Sequence, residues 1–314
     1  LLIELKVFLM LISNRIGLGT AQWGLKYGIS NKVGRASDED IKSILFDAGG
    51  VDRIIDTAVS YGVAEEILGN YNLQGLKYRI VTKTRPFKDR NLSASESIAY
   101  VRSDLKESLS KLGVPQIYGL MVHSSNDLLG LRGQALWKEM VELRESGFVS
   151  KIGCSFYSPK EFFKLSEEFD FDIIQTPYNI YDQRYVLSGM AEFAFSKRIE
   201  VHLRSIFLQG LLLINSNSIP QISNDLFKKQ QAFEKISLDS GYDKLTLALM
   251  FALRGGFEER LIVGTELFSQ WKNLKDIANQ KTESIDHFYS RLKALKTGNE
   301  DSNICARITA NICI

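Results

Sequence analysis

Arg53-Ile54-Ile55-Asp56-Thr57-Ala58-Val59-Ser60-Tyr61 decides the reading of this chain: a short apolar run closes on a carboxylate, and a tyrosine follows five residues later. The arrangement recurs downstream. Lys83 closes Tyr78-Arg79-Ile80-Val81-Thr82, and His123 closes Ile117-Tyr118-Gly119-Leu120-Met121-Val122. In a parallel barrel the carboxyl ends of the strands gather at one mouth, so polar groups at consecutive strand ends can converge on one substrate. Asp56, Tyr61, Lys83 and His123 are therefore the candidate catalytic residues.

Outward from these segments, eight short apolar runs alternate with longer helical patterns, the mark of repeated βα units and a parallel sheet. Strands are expected near Arg15–Thr20, Arg53–Ala58, Tyr78–Thr84, Ile117–His123, Ser150–Phe156, Phe171–Pro177, Glu200–Phe207 and Arg260–Thr265. Eight such units predict a (β/α)8 TIM barrel. Helix starts are legible at Ser37-Asp38-Glu39-Asp40, at Ala94-Ser95-Glu96 with a stop at Gly113, and at Ser158-Pro159, where proline suits the first helical position.

Length and composition fit this scheme. At 314 residues a barrel can form one domain, and no Gly- or Ser-rich linker divides the chain. The domain is expected over 15–296. Residues 1–14, apolar but broken by Glu4 and Lys6, read as a barrel-floor strand or hairpin or as an N-terminal leader, and 297–314 as a loose tail. With 39 Lys and Arg against 37 Asp and Glu, the net charge of +2 gives no field that argues for nucleic acid or a membrane surface. Three scattered cysteines form neither a disulfide framework nor a metal-ligand spacing, which fits a reducing cytoplasm and predicts no metal. His202 and His287 lack metal-ligand neighbours and read as structural.

The chemistry of the four residues is specific as a set. Tyrosine has an ordinary pKa of about 10, too high for efficient proton donation at neutral pH. A lysine cation within about 4–6 Å favours the phenolate, and a carboxylate beside the lysine keeps the cation charged. Tyr61, Lys83 and Asp56 supply those parts, and His123 can donate a hydrogen bond to a substrate oxygen. Singly, each has a plain reading as cap, packing or surface residue. Together, at the ends of strands two, three and four, they describe a site for carbonyl reduction.

On these residues the chain resembles the aldo-keto reductases, from about Arg15 to Leu295. Gly17-Leu18-Gly19-Thr20-Ala21-Gln22-Trp23-Gly24 resembles the family's first strand and loop, and Ile55-Asp56-Thr57-Ala58 with Tyr61-Gly62 its Asp-Thr-Ala…Tyr-Gly motif. Val81-Thr82-Lys83 and Met121-Val122-His123 resemble its lysine and histidine strands. The resemblance implies NADPH or NADH as cofactor and a small carbonyl compound as substrate. It places Gly19, Thr20, Trp23, Ser155, Gln175, Arg204, Ser205, Leu208 and Gly210 against the cofactor, with Gly264, Thr265, Glu266 and Gln270 at its phosphate and adenosine end. The run Arg204–Leu212 resembles a bacterial branch of the family.

Departures fall in the cofactor half. Phe156 follows Ser155 where the family commonly has asparagine, and Arg204 stands where many members stack a tyrosine. Basic residues usually mark the adenosine 2′-phosphate, yet Gly264 and Gln270 occupy the matching positions, with Glu266 beside them and Lys272 the nearest cation. A carboxylate there suits a ribose hydroxyl better than a phosphate. Trp23, Tyr27 and Tyr157 are the expected substrate-pocket aromatics. Two further readings stand beside reduction: a lyase using Lys83 as a Schiff-base nucleophile, and a cofactor-sensing regulatory barrel without turnover. No Gly-x-Gly-x-x-Gly turn supports a doubly wound dehydrogenase.

Overall fold

The computed structural model describes residues 14–50, 52–87, 92–219, 224–256, 259–280 and 285–297. Among them eight parallel strands close into a barrel in chain order: β1 (Ile16–Gly19), β2 (Arg53–Asp56), β3 (Tyr78–Lys83), β4 (Ile117–Val122), β5 (Val149–Ser155), β6 (Ile173–Pro177), β7 (Glu200–Arg204) and β8 (Arg260–Gly264). Each overlaps its expected run, which makes the fold the (β/α)8 barrel. The readings of the first 14 and last 18 residues lie outside the described residues, apart from Asn14 and Thr297. The Asn14 carbonyl accepts from Arg260, and Thr297 ties to the Tyr181 carbonyl.

Side-chain alternation along the strands explains what the barrel holds. Ile54, Val81, Met121, Ile173 and Ile262 form a small buried cluster of their own, separate from the large core between strands and helices. These are inward positions, so the residue two further on points inward as well, one layer nearer the mouth. For β2, β3 and β4 that residue is Asp56, Lys83 and His123 respectively. For β6 and β8 it is Gln175 or Gly264. The barrel interior is thus an apolar plug roofed by a polar layer.

Register brings the layer together. Gly19 of β1 pairs with Asp56 on one side and Gly264 on the other, and Lys83 of β3 pairs with Met121 of β4. The helix starts read from the sequence are capped as expected. Ser37 accepts from the Asp40 amide ahead of the helix Asp38–Ala48, and Ser93 and Glu96 form a capping box ahead of Ala94–Leu112. Gly113 closes that helix at φ 65°, a left-handed turn that glycine adopts without penalty. Ser158 caps the helix Pro159–Leu165.

Candidate active site

At the carboxyl mouth of the barrel lies a cavity of about 640 Å3 whose wall includes Asp56, Tyr61, His123, Ser155, Gln175 and Arg204. Asp56 and Lys83 meet at its floor. Lys83 Nζ donates to Asp56 Oδ1 at 2.7 Å, to Oδ2 at 2.8 Å and to the Thr57 carbonyl at 3.0 Å. Those three bonds use all three protons of an ammonium group. Gln175 donates to Asp56 Oδ1 at 2.7 Å, adding a third strand to the cluster. Burial pulls the Lys83 pKa down, and Asp56 opposes it by favouring the cation.

Tyr61 sits above this pair on the loop after β2. Lys83 Nζ is 5.1 Å from the centre of its ring, and the His123 ring meets it edge-on at 6.1 Å. The sequence reading expected the lysine cation to lower the tyrosine pKa. The structure reverses that direction: burial raises it first, Asp56 raises it further, and Arg204 offsets only part. The main reason is burial, which disfavours the charged phenolate, and the nearby Asp56 carboxylate adds to it. Tyr61 therefore keeps its proton well past neutrality. The loop is seated by contact: a Cβ on Gly24 would overlap the Tyr61 carbonyl, so only glycine lets the two segments approach this closely.

His123 is neutral. Burial, then Lys83 and Arg204, lower its pKa to about 3, and its Nδ1 is buried with no partner among the described residues. A neutral imidazole on a cavity wall can donate one hydrogen bond without carrying charge.

The remaining expected residues divide. Gly19, Thr20, Tyr27, Ser155, Tyr157, Ser205, Gly210, Gly264, Thr265, Glu266 and Gln270 all line the cavity. Arg204 stacks its guanidinium on Tyr157 at 4.1 Å, so the planar cation and an aromatic pocket residue form one wall. Trp23 is a correction. It is wholly buried and not among the residues lining the cavity, with its indole N–H donating to the Thr265 carbonyl at 3.0 Å, so it supports the Thr265 side of the cavity without facing it. Leu208 is likewise buried in the core. Phe156 packs edge-on against Phe162 and Phe171, away from the mouth, so its place after Ser155 offers no polar contact.

Several wall residues escaped the sequence reading. Ser269 and Asn273 lie four apart at the start of the helix Phe268–Ala278, a spacing that puts both on one face and would have flagged them. Gln22 and Gln209 stood inside the quoted runs without being singled out and Ser30 carried no signal, because loops after β1 and β7, far apart in the chain, bring them to one wall. The Ile29 amide donates to the Gln209 carbonyl at 2.8 Å, strapping the loop after β1 to the loop after β7. The second of these loops is strained: Ser205, Leu208 and Gln209 all take positive φ near +50 to +60°. Such backbone persists where its surroundings hold it and gathers at ligand clamps.

The wall suits a dinucleotide. Thr265 Oγ1 is buried at the wall with no partner among the described residues, leaving an acceptor and donor for a ligand oxygen. Gly19-Thr20-Ala21 and Gly264-Thr265 line the cavity at adjoining strand ends. Loops after the last strands of such barrels commonly hold phosphate.

A profile of the Aldo/keto reductase family matches residues 15–291. The chain belongs to this family. Among curated members, it is 28% identical over 207 residues to the aldo-keto reductase YhdN of Bacillus subtilis, covering 64% of this chain and 60% of that protein. It is 26% identical over 168 residues to the chloroplastic pyridoxal reductase of Arabidopsis thaliana, covering 48% and 44%. The matches therefore span about half the length of these curated relatives. Among solved structures, a glycerol dehydrogenase from Gluconobacter oxydans aligns over 95% of this chain and 91% of its own, with TM-score 0.64 and 21% identity. The holo form of a Bacillus halodurans aldo-keto reductase aligns over 94% and 91%, with TM-score 0.66 and 18% identity. At such identities these two establish the shared fold. No helix among the described residues is long and apolar enough to cross a membrane.

Proposed function

We propose that this protein is an NAD(P)H-dependent oxidoreductase reducing a small aldehyde, ketone or sugar-like carbonyl, with Tyr61 as proton donor. One observation carries the reading: Tyr61, neutral His123 and the Lys83–Asp56 pair converge at a cavity that continues to Gly264 and Thr265 at the end of β8. A bound nicotinamide would supply hydride to the carbonyl carbon. Tyr61, with its pKa raised, holds the proton that passes to the carbonyl oxygen. His123 donates a hydrogen bond to that oxygen and fixes its orientation. The Lys83–Asp56 pair keeps a fixed dipole beneath the ring, and the Arg204–Tyr157 wall screens the pocket from water. The pyridoxal reductase among the relatives fits a substrate of this size and kind.

The lyase reading fares worse on the same geometry. A Schiff-base lysine must reach the substrate uncharged, whereas Lys83 is fully buried with every proton engaged. The deciding experiment is a screen of carbonyl compounds followed by nicotinamide absorbance with NADH and NADPH, run beside Tyr61→Phe. Turnover that vanishes in the variant supports the proposal. Cofactor binding with no turnover on any carbonyl would assign the barrel a sensing role.

A further inference from the structure

At the β8 end of the cavity, three amides leading into the helix Phe268–Ala278 are already occupied. Gln270 Oε1 accepts from the Glu266 amide at 2.8 Å and from the Leu267 amide at 3.2 Å. Asp40, reaching over from the helix Asp38–Ala48, accepts from the Phe268 amide at 2.8 Å through Oδ1 while its Oδ2 accepts from Ser37. A helix start is otherwise a ready anion site, since its unpaired amides and the dipole favour negative charge. Here the protein's own oxygens fill the Glu266, Leu267 and Phe268 amides, and one of the oxygens belongs to a carboxylate.

Charge points the same way. Glu266 lines the cavity at this end beside the uncharged Ser269 and Asn273. Among the described residues that line the cavity, Arg204 is the one lysine or arginine, and it lies at the other end, stacked on Tyr157. Lys272 is off the wall, its Nζ 5.9 Å from the Phe268 ring.

We infer that this end of the cavity takes a nucleotide without a 2′-phosphate, NADH in preference to NADPH, because Gln270 and Asp40 occupy three amides at the helix start while Glu266 lines the same volume. The inference rests on the nicotinamide reading above. A 2′-phosphate carries nearly two negative charges at neutral pH and would meet the Glu266 carboxylate where the Glu266, Leu267 and Phe268 amides are already taken. A 2′-hydroxyl can instead donate to Glu266, as acidic residues accept from ribose hydroxyls in other NAD sites.

The test is titration of the full chain with NADH and with NADPH, read by tryptophan fluorescence and calorimetry. The wild-type protein should bind NADH at least tenfold more tightly. Glu266→Arg combined with Gln270→Ala, which uncovers two amides and reverses the local charge, should narrow or invert that ratio by at least tenfold through a gain for NADPH. Equal affinity for both cofactors in the wild type overturns the inference, as does a variant with an unchanged ratio while its melting temperature shows it folded. Binding of neither cofactor overturns both the inference and the nicotinamide reading beneath it.

Discussion

Lys83 Nζ is held 2.7 Å from Asp56 Oδ1, fully buried, and its remaining protons go to Asp56 Oδ2 and the Thr57 carbonyl. The ammonium acts on Tyr61 only through space, across the ring face at 5.1 Å. It is a fixed part of the floor, not a donor to the substrate.

Removing one member of this pair should therefore damage both fold and activity, and removing both only activity. Lys83→Met or Asp56→Asn leaves a buried group without its partner and should cost about 3–5 kcal/mol. The double variant should be more stable than Lys83→Met alone, because no uncompensated carboxylate remains, while carbonyl reduction stays lost. Chemical denaturation of the three variants checks the order. A double variant less stable than both singles would contradict the pairing.

Tyr61→Phe removes only the phenolic proton. Reduction should fall by roughly 10²–10⁴-fold, the usual contribution of a positioned acid, with nicotinamide affinity within a few-fold of wild type. Steady-state kinetics and cofactor titration separate the two effects, and turnover near the parent rate would remove Tyr61 from the mechanism.

The raised Tyr61 pKa has its own signature. A tyrosinate signal assigned by difference between wild type and Tyr61→Phe should be absent in cofactor-free protein below pH 10, the ordinary value. Ultraviolet difference titration reads it directly. A Tyr61 signal titrating below the ordinary value would instead match the cation-lowered phenol expected from sequence.

His123 links the site to acid stability. Its folded pKa of about 3 lies below the ordinary value of 6.5, so the unfolded chain binds the extra proton between those limits. Its contribution is fully present above pH 6.5 and is lost as pH falls toward 3. Over two pH units below 6.5 the wild type should lose about 1–2 kcal/mol more than His123→Gln, discounted because the ring borders the cavity. Denaturant midpoints at pH 6.5 and 4.5 test this, and parallel losses in the two proteins would count against a neutral His123.

Gly24→Ala places a methyl group into the Tyr61 carbonyl. The overlap should destabilise the protein by about 1–3 kcal/mol. Displacing the Tyr61 loop should also lower kcat by roughly 10²-fold. Thermal melts and kinetics on the same preparation measure both, and an alanine variant of normal rate would show that the Tyr61 loop tolerates movement.

Much of the molecule was legible in the chain. The eight apolar runs specified the strands because strand length and apolar content are local properties. Asp56, Lys83 and His123 were legible for a related reason: two end a strand and His123 directly follows one, and period-two alternation then aims all three inward above Ile54, Val81 and Met121. Helix caps at Ser37, Ser93 and Gly113 are written in a few adjacent residues. What sequence could not supply was anything decided between segments far apart. Whether Trp23 faces ligand or core depends on Thr265, which lies 242 residues away. Whether Gln270 holds a nucleotide or caps its own helix depends on how its side chain turns.

The sequence by itself determined the barrel, the order of its strands and the identity of the four residues at its mouth, because those follow from short-range pattern and from the geometry any parallel barrel imposes. Only the tertiary structure decided the state of those residues. Tyr61 holds its proton and Lys83 spends all of its own on Asp56 and Thr57, because ionisation responds to burial and to the nearest charges. Those are set by packing between strands that the chain visits tens of residues apart.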